Sequence, residues 1–400
     1  MRAPGAALRW RLVCAVAGVL VFCLSSSAHA YPWMIRHGYT ACIPCHTDPS
    51  GGAGVLTAYG RAQSDLLLRT RYGNASEEAS PTAGPVWGLV QPAEGLRIGG
   101  DFREAYFSLK PEGALATQQF ITMRADLTAD IKVDRVRAAG SIGYAPQGAL
   151  AASLTSAPSE NLISREHWVG YEIDEDGSWL VRAGRMAIPF GIRNIEHDLW
   201  ARALTRSDLN DTQQYGAALA FNVDRFRGEI MGILGNFQVH PDEYRERGYS
   251  LYVEYAPANT VAVGASSQFT RATRDIIYNV TDYRQAHGVF ARVSPYPQLV
   301  LMTEVDWVYQ SLTWNGHRGG YAGFVQADIE PVQGVHLMVT GESMNGGSAG
   351  EPSSFGAWLS GVWFFAPHMD VRLDGVYQTL GSPAGYTNVW VWLPQIHVFL

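Results

Sequence analysis

Five consecutive residues near the start of the chain have the types and the spacing that attach a porphyrin to protein. They are Cys42, Ile43, Pro44, Cys45 and His46, which spell C-x-x-C-H. In this motif the two thiols add to the vinyl groups of a c-type haem, and the adjacent imidazole coordinates the iron. The sequence therefore predicts one covalent haem c, bound through Cys42 and Cys45, with His46 as the proximal iron ligand.

The two cysteines have other interpretations. Thioredoxin-like proteins also contain C-x-x-C, but there the pair lies in a βαβ unit and needs no following histidine. A disulfide between Cys42 and Cys45 is the simplest alternative. The remaining cysteines, Cys14 and Cys23, lie within the predicted signal peptide, so the mature chain keeps only the pair in the motif.

The sixth ligand of the iron stays open. Neither methionine nor histidine occurs between the motif and residue 122. This excludes a ligand supplied downstream within a small cytochrome domain. The candidates are His37 or Met34 upstream, a side chain from the rest of the chain such as His336 or Met338, or none.

The first 30 residues have the features of an export signal. Arg2, Arg9 and Arg11 precede an apolar run, and the segment ends in a small-x-small cleavage site, residues 28–30.

The remaining residues carry 27 basic and 37 acidic side chains, a formal charge of −10, because the signal removes three of the 30 basic residues. An acidic chain with only two lysines is not expected to bind nucleic acid.

Three regions must position the motif. Residues 31–72 form the predicted monohaem segment, in which Leu56 to Arg71 has helical spacing of apolar residues. Residues 73–94 are rich in Ser, Ala, Pro, Gly and Glu and are predicted to be a linker. From residue 95 to residue 400 the pattern changes to a period of two, which predicts β-strands.

Alternation is clearest between Phe120 and Ile131, where odd positions are apolar and most even positions are polar or charged. Such a strand separates hydrocarbon from water. About sixteen segments of this kind can be counted, with starts near residues 95, 117, 134, 161, 177, 213, 224, 247, 259, 284, 298, 318, 333, 353, 369 and 387. Their connections alternate between long and short, as in bacterial outer-membrane barrels. We predict an all-β fold, a transmembrane antiparallel β-barrel of about 16 strands after a small α-helical c-type segment.

Two further features fit a barrel in the outer membrane. Aromatic residues lie near the predicted strand ends, where an aromatic girdle is expected: Tyr144, Trp168, Tyr171, Tyr252, Tyr255, Trp307, Tyr309 and Trp363. The connection from Ala187 to Thr212 is long and rich in charge. In a wide barrel such a loop either folds into the pore or stays on the surface, and the sequence does not decide between the two. Its charged residues and histidine are Arg193, Glu196, His197, Asp198, Arg202 and Arg206.

The length of the haem segment suggests where it lies. About 42 residues are few for a domain that has to bury a haem alone. A barrel of about sixteen strands encloses a lumen wide enough to hold a small plug. We therefore expect the segment within or against the lumen, where His336 and Met338 are predicted to point inward.

A C-x-x-C-H motif followed by a barrel resembles the fused monohaem cytochrome c–porin family of the outer membrane, whose best-known members are iron oxidases. The matching residues are the motif itself, Pro49, Leu56 and Gly60-Arg61, together with the porin-like stretch from Arg182 to Gly191. Two features depart from the family pattern. Residues 50–54 form a Gly-rich insertion, and Ala62-Gln63 stand where the family tends to have Phe-Lys.

The resemblance implies an outer-membrane electron-transfer protein, with ferrous iron as one candidate extracellular donor and a periplasmic c-type cytochrome as acceptor. Its chemistry would be one-electron transfer by the cofactor, an iron:cytochrome oxidoreductase rather than an enzyme with a protein acid–base pair. Outer-membrane lipid is the other expected partner. Two alternatives remain, a porin for diffusion of small solutes with an accessory haem segment, and a dedicated channel for anions.

Overall fold

The computed structural model describes residues 31–49, 51, 55–73, 78–145, 162–193, 199–208, 212–314, 316–348 and 350–400. The predicted signal peptide (1–30) and the predicted long connection at 146–160 lie outside these residues. So do residues 50 and 52–54 of the Gly-rich insertion, and Glu196, His197 and Asp198 of the long charged connection.

Seventeen strand segments occur in the described residues, and they occupy sixteen positions around one sheet. The short β4 and β5 share a position, since both pair with β3 at different heights. The segments are β1 (Leu96–Pro111), β2 (Thr117–Val133), β3 (Val136–Tyr144), β4 (Leu162–Ile163), β5 (His167–Glu172), β6 (Trp179–Met186), β7 (Gln214–Val223), β8 (Phe226–Gly235), β9 (Arg247–Ala258), β10 (Val261–Ala272), β11 (Asp282–Tyr296), β12 (Leu299–Leu312), β13 (Gly316–Val332), β14 (Val335–Asn345), β15 (Ser354–Ala366), β16 (Met369–Ser382) and β17 (Gly385–Phe399).

The sheet closes on itself. Each of the sixteen strand positions pairs antiparallel with the next one along the chain, and β1 pairs with β17, with Asp101 opposite Phe399. Closure leaves no free edge, which a hydrocarbon environment requires because unpaired backbone groups are costly there. The prediction of a 16-strand antiparallel barrel is confirmed, and each strand position begins within two residues of its predicted start.

Side chains alternate between the lipid-facing surface and the lumen. On β14, Leu337 and Val339 are about half exposed, whereas His336 and Met338 are buried. The inward orientation predicted for His336 and Met338 is confirmed. Charged residues are concentrated on the lumen side, where they are buried because other parts of the chain fill the barrel.

Two residues predicted in the aromatic girdle are not there. Trp168 and Tyr252 are buried on the lumen side, whereas Tyr171 and Tyr255, on the same two strands, face outward. The reason is the period of two. Residues three apart on one strand point to opposite faces, so each pair had to place one ring inside.

The connections at the two ends of the barrel differ in length, although less regularly than predicted. At one end, most turns are two residues long, with Asp134, Asp224 and His368 in the left-handed region. At the other end lie the long connections, but those between β12 and β13 and between β16 and β17 have only three and two residues. We call the end of the barrel with the two-residue turns the short-turn end. In bacterial barrels this end is periplasmic.

Helices are few and short in the described residues. The N-terminal segment contains a 3₁₀ helix, Pro32–His37, and α1, Ala58–Gln63, which continues as one π turn, Ser64–Leu68. Thr57 caps α1 by accepting a hydrogen bond from the Gly60 amide. The other helices are the 3₁₀ turns Pro81–Ala83, Pro85–Gly88 and Asp242–Tyr244, and α2, Trp200–Thr205. None of the helices in the described ranges has the length and apolar character needed to cross a bilayer.

Candidate functional site in the barrel lumen

The N-terminal segment fills the short-turn half of the lumen. Arg36 forms ion pairs with Asp328 and, at 2.9 Å, with Glu330, both on β13. The Trp33 ring lies against His336, with centroids 4.2 Å apart, and His336 Nδ1 is 3.2 Å from Asp328. Lumen-facing residues of β13 and β14 thus anchor the 3₁₀ helix at the start of the segment.

A second anchor holds the chain just after the motif. Asp48 accepts a hydrogen bond from Arg182 on β6 at 3.1 Å, and Arg182 also donates to Glu229 on β8 at 2.6 Å. The carbonyl of Thr47 accepts one from Arg137 on β3 at 2.8 Å. Because these contacts come from strands on another side of the barrel, the segment is held across the lumen.

Residues 187–193 and 199–208 of the connection between β6 and β7 fold into the lumen, and we call them the inward loop. The amide of Gly191 donates to Ser266 and that of Ile192 to Glu304, both at 2.8 Å. The amide of Trp200 donates to Glu342 at 3.0 Å. Of the two alternatives for this loop, the inward one is therefore confirmed.

The inward loop and the N-terminal segment meet in one apolar cluster. Buried side chains from the segment pack with others from the loop and with lumen residues of the barrel wall. The segment contributes Trp33, Met34, Ile35 and Leu68, and the loop Ile192, Leu199, Trp200 and Ala201. In the described residues, the segment and the inward loop thus pack against each other inside the barrel.

The C-x-x-C-H motif lies in a tight turn within this filling. The amides of Cys45 and His46 donate to the Cys42 carbonyl at 3.1 and 2.9 Å. The amide of Thr57 donates to the Cys45 carbonyl at 2.8 Å. A Cβ on Gly60 would lie 2.9 Å from Cys45 Cα, so only glycine allows α1 to pack this closely on the motif.

The donor atoms of the motif fit a c-type haem. Cys42 and Cys45 are buried free thiols, and no disulfide joins them. Burial, with a smaller contribution from Cys42, raises the pKa of the Cys45 thiol far above its ordinary value. Burial lowers the pKa of His46 to about 4, which keeps the imidazole neutral, and its Nδ1 is buried without a hydrogen-bond partner in the described structure. A neutral imidazole with an unsatisfied nitrogen is suited to bind a metal.

The structure does not join either predicted sixth ligand to His46. Met34 lies in the apolar cluster. His37 lies beside Tyr39, with ring centroids 6.5 Å apart, and its pKa is lowered by burial. Within the described ranges, no hydrogen bond or ring contact links His46 to either residue. The sixth ligand therefore stays a prediction.

Sequence reasoning missed a charged group beside the motif. Arg227 on β8 donates to the Cys42 sulfur at 2.7 Å and to Glu254 on β9. Arg292 on β11 donates to the same carboxylate and to the Pro32 and Thr40 carbonyls of the segment. The alternation of side chains along each strand predicts that Arg227, Glu254 and Arg292 point into the lumen. Their contact with Cys42 could not be predicted, because it depends on how the N-terminal segment enters the lumen.

Comparisons with known proteins agree with this architecture. The profile of a family described as phosphate-selective porin O and P matches residues 95–303. Among solved structures, in-vitro folded OmpT of Vibrio cholerae is 13% identical over 77% of this chain and 99% of its own, with a TM-score of 0.58. An anion-selective porin from Comamonas acidovorans is 11% identical over 76% and 99%, with a TM-score of 0.56. The channel DcaP of Acinetobacter baumannii is 8% identical over 76% and 96%, with a TM-score of 0.52. A search of curated proteins gave no significant match.

Proposed function

The chain belongs to the family of phosphate-selective porins O and P and is a porin-type protein of the bacterial outer membrane, and from this premise we propose that it carries one haem c inside a filled barrel and transfers electrons across that membrane. The observation that carries the proposal is the position of the C-x-x-C-H motif. Its two thiols are buried and its imidazole is partly buried, within the segment that enters the lumen from the short-turn end, and Cys42 faces residues 191–193 of the inward loop.

The residues that would hold the cofactor are Cys42 and Cys45, through thioether bonds, and His46, as iron ligand. A bound haem c would supply reversible one-electron transfer. The chain's own residues bury the site, since Arg36 and Asp48 fix the segment to the wall by buried ion pairs. Residues 191–193 of the inward loop face Cys42 from the other side. Burial of this kind is one of the ways in which a protein sets the potential of a haem.

The filled lumen also supports the proposed partners. Electrons need no open channel, whereas solute diffusion does. A periplasmic c-type cytochrome would meet the short-turn end, and an extracellular donor such as ferrous iron would meet the opposite end. Outer-membrane lipid surrounds the apolar outer face.

A second function is favoured by a different observation. The family match and the likeness to an anion-selective porin support passage of anions or other small solutes. In that case the segment and the inward loop would be displaced to open the pore. The two functions differ in what crosses the membrane.

The test uses the full chain, matured in a host that attaches c-type haem and reconstituted in sealed vesicles. The vesicles enclose an oxidised soluble cytochrome c and, in a parallel set, a coloured chelator of ferrous iron. Ferrous iron is then added outside. The matched control is the double variant Cys42→Ala, Cys45→Ala, which keeps the barrel and lacks the attachment site.

The proposal expects reduction of the enclosed cytochrome with the wild-type chain only, and no colour from the chelator with either chain. If the chelator reports iron entry, or if the double variant reduces the cytochrome equally fast, electron transfer through the motif is refuted. An anion-selective conductance of wild type without electron transfer would establish the second function.

A further inference from the structure

Three neighbouring strands, β9, β10 and β11, carry a positively charged patch on the outer face of the barrel. Arg271, near the end of β10, lies directly opposite Arg247 of β9 on one side and Tyr283 of β11 on the other. All three side chains are exposed. Residues that lie directly opposite on paired strands share a face of the sheet, so the two guanidinium groups point outward side by side. Like charges in this position repel each other.

The patch lies at the extracellular edge of the lipid-facing band. Val263 and Tyr255 lie opposite each other further toward the short-turn end, and both are exposed on the same outer face. Arg271 is eight residues beyond Val263 on β10. At about 3.4 Å per residue and a strand tilt of about 40°, it therefore lies about 21 Å from Val263 along the membrane normal. Because the apolar band of a barrel is about 25 Å tall, Arg271 is level with the lipid headgroups of the outer leaflet.

The side chains below Arg271 agree with this depth. Tyr249 and Phe269 lie opposite each other at the next outward position, with ring centroids 6.4 Å apart. One outward position further, Ser267 Oγ lies 3.0 Å from His287 Nδ1 and 3.3 Å from Tyr249 Oη. Aromatic rings are typical of the level at which hydrocarbon meets the headgroup region, and hydrogen-bonding groups are avoided at the membrane midplane.

The carboxylates near the patch are taken by other arginines. Four carboxylates occur in the connections that precede β9 and follow β10, and each forms an ion pair with an arginine other than Arg271. The pairs are Asp242 with Arg245 and Arg247, Glu243 with Arg274, and Glu246 and Asp275 with Arg206. None of the outward-facing residues on β9, β10 and β11, all of which the structure describes, is acidic.

Arg271 therefore has no carboxylate partner among the described residues. Its guanidinium lies over the ring of Tyr283, 5.3 Å from the centroid. Stacking of this kind leaves the N–H groups in the plane of the guanidinium available, and they form the fork that binds phosphate oxygens in bidentate fashion. A stacked arginine at the level of the headgroups is suited to bind a phosphate.

We propose that Arg271 binds a phosphate of the glycolipid that forms the outer leaflet of bacterial outer membranes. The phosphate supplies the negative charge that the patch lacks, and the acyl chains of the same molecule lie against Phe269 and the apolar strand face below it. A free anion would gain the charge contact alone, so the surface favours the lipid. The patch lies outside the lumen, and the binding does not depend on the proposed function.

The experiment measures lipid binding to the folded full chain in detergent by native mass spectrometry. The probe is lipid A, the membrane anchor of that glycolipid, and the comparison probes are lipid A without phosphates, phosphatidylglycerol and inorganic phosphate. Wild type is compared with Arg271→Gln, which removes the charge, and Arg271→Lys, which keeps the charge but not the fork. Lys110→Gln is the matched control, because Lys110 is exposed at the same end of the barrel, opposite Trp390 on another side of the outer face.

We expect Arg271→Gln to weaken the binding of lipid A about fivefold, the effect of one basic residue at an anionic membrane surface. Arg271→Lys should keep part of the affinity, and Lys110→Gln should keep all of it. Wild type should bind lipid A without phosphates as weakly as Arg271→Gln binds the phosphorylated form. This last comparison needs no substitution and so tests the proposal even if a variant does not fold.

Four results would overturn the proposal. In the first, Arg271→Gln binds lipid A as tightly as wild type. In the second, Lys110→Gln weakens binding as much as Arg271→Gln, since the attraction would then belong to the whole surface. In the third, inorganic phosphate binds with the same dependence on Arg271, so that the site serves a free anion. In the fourth, phosphatidylglycerol equals lipid A in affinity and in its dependence on Arg271, so that the site accepts any anionic lipid.

Discussion

The guanidinium of Arg36 lies 2.9 Å from the carboxylate of Glu330, a residue 294 positions further along the chain. Asp328 completes the group, and all three side chains are buried. One arginine of the N-terminal segment thus pairs with two carboxylates of the barrel wall. The contact explains how a segment with little secondary structure keeps a fixed place in a wide barrel.

Arg36→Met should therefore loosen the segment. Removing one partner of a buried ion pair leaves uncompensated charge, which costs about 3–5 kcal/mol. We expect faster proteolysis of the segment in the folded barrel and a higher single-channel conductance. Arg247→Met is the matched control, because Arg247 is exposed and forms its ion pair with exposed Asp242. Equal protease resistance in wild type and both variants would contradict the anchoring role.

Gly191 should be required for the inward position of the loop. Its φ of +62° strains any other residue, and a Cβ there would lie 2.6 Å from Arg202 Nη1. We expect Gly191→Ala to displace the loop, at a cost of about 1–3 kcal/mol in strain alone, and to raise the conductance. Gly113→Ala is the control, since Gly113 has a φ of +72° and no atom near its Cβ position. If both variants conduct alike, the loop does not close the lumen.

The outward orientation of the strands can be tested at Leu359, which is central in β15 and 65% exposed to lipid. Arginine on the lipid face near the membrane midplane costs about 2–4 kcal/mol. We expect Leu359→Arg to lower the free energy of unfolding by that amount in lipid vesicles. Leu115→Arg, in the exposed connection after β1, should change it little. Equal effects of the two substitutions would show that β15 does not face lipid as described.

Acid should release the far end of the inward loop. Arg206 pairs with Glu246 at 2.5 Å and with Asp275 at 2.8 Å. Burial alone would raise the pKa of Asp275, but Arg206 and two backbone amides outweigh it and lower the pKa below its ordinary value. A lowered pKa means that the pair stabilises fully above the ordinary value, about pH 4, and that this stabilisation is lost as the pH falls further.

We therefore expect the conductance of wild type to rise below about pH 4. Arg206→Gln should conduct more at neutral pH and depend less on acid. Conductance is measured in planar bilayers across the pH range. If the conductance of the two proteins depends on pH in the same way, the ion pairs of Arg206 do not hold the inward loop in place.

Much of the fold could be predicted from the sequence, because a strand between lipid and water imposes a strict period of two. That period fixed the strand starts and the inward orientation of His336 and Met338. The same rule, applied residue by residue, would have corrected the two girdle assignments, since Trp168 and Tyr252 each lie three residues from an outward-facing tyrosine.

The site was predictable only in part. The motif is a local pattern, so Cys42, Cys45 and His46 could be recognised without a structure. The charged group beside them could not, because it joins Arg227, Glu254 and Arg292 from three separate strands. These residues come together because of the stagger of the sixteen strands and the path of the N-terminal segment into the lumen. Neither the stagger nor the path can be recognised from the sequence.

The most direct measurement is the haem content of the chain after export and maturation. The full protein and the double variant Cys42→Ala, Cys45→Ala are purified as folded barrels in detergent, and each is examined by intact mass and by absorption of the reduced form. The account predicts one thioether-linked haem per wild-type chain and none in the variant. A wild-type barrel that is colourless, with both thiols still open to alkylation after unfolding, would contradict it.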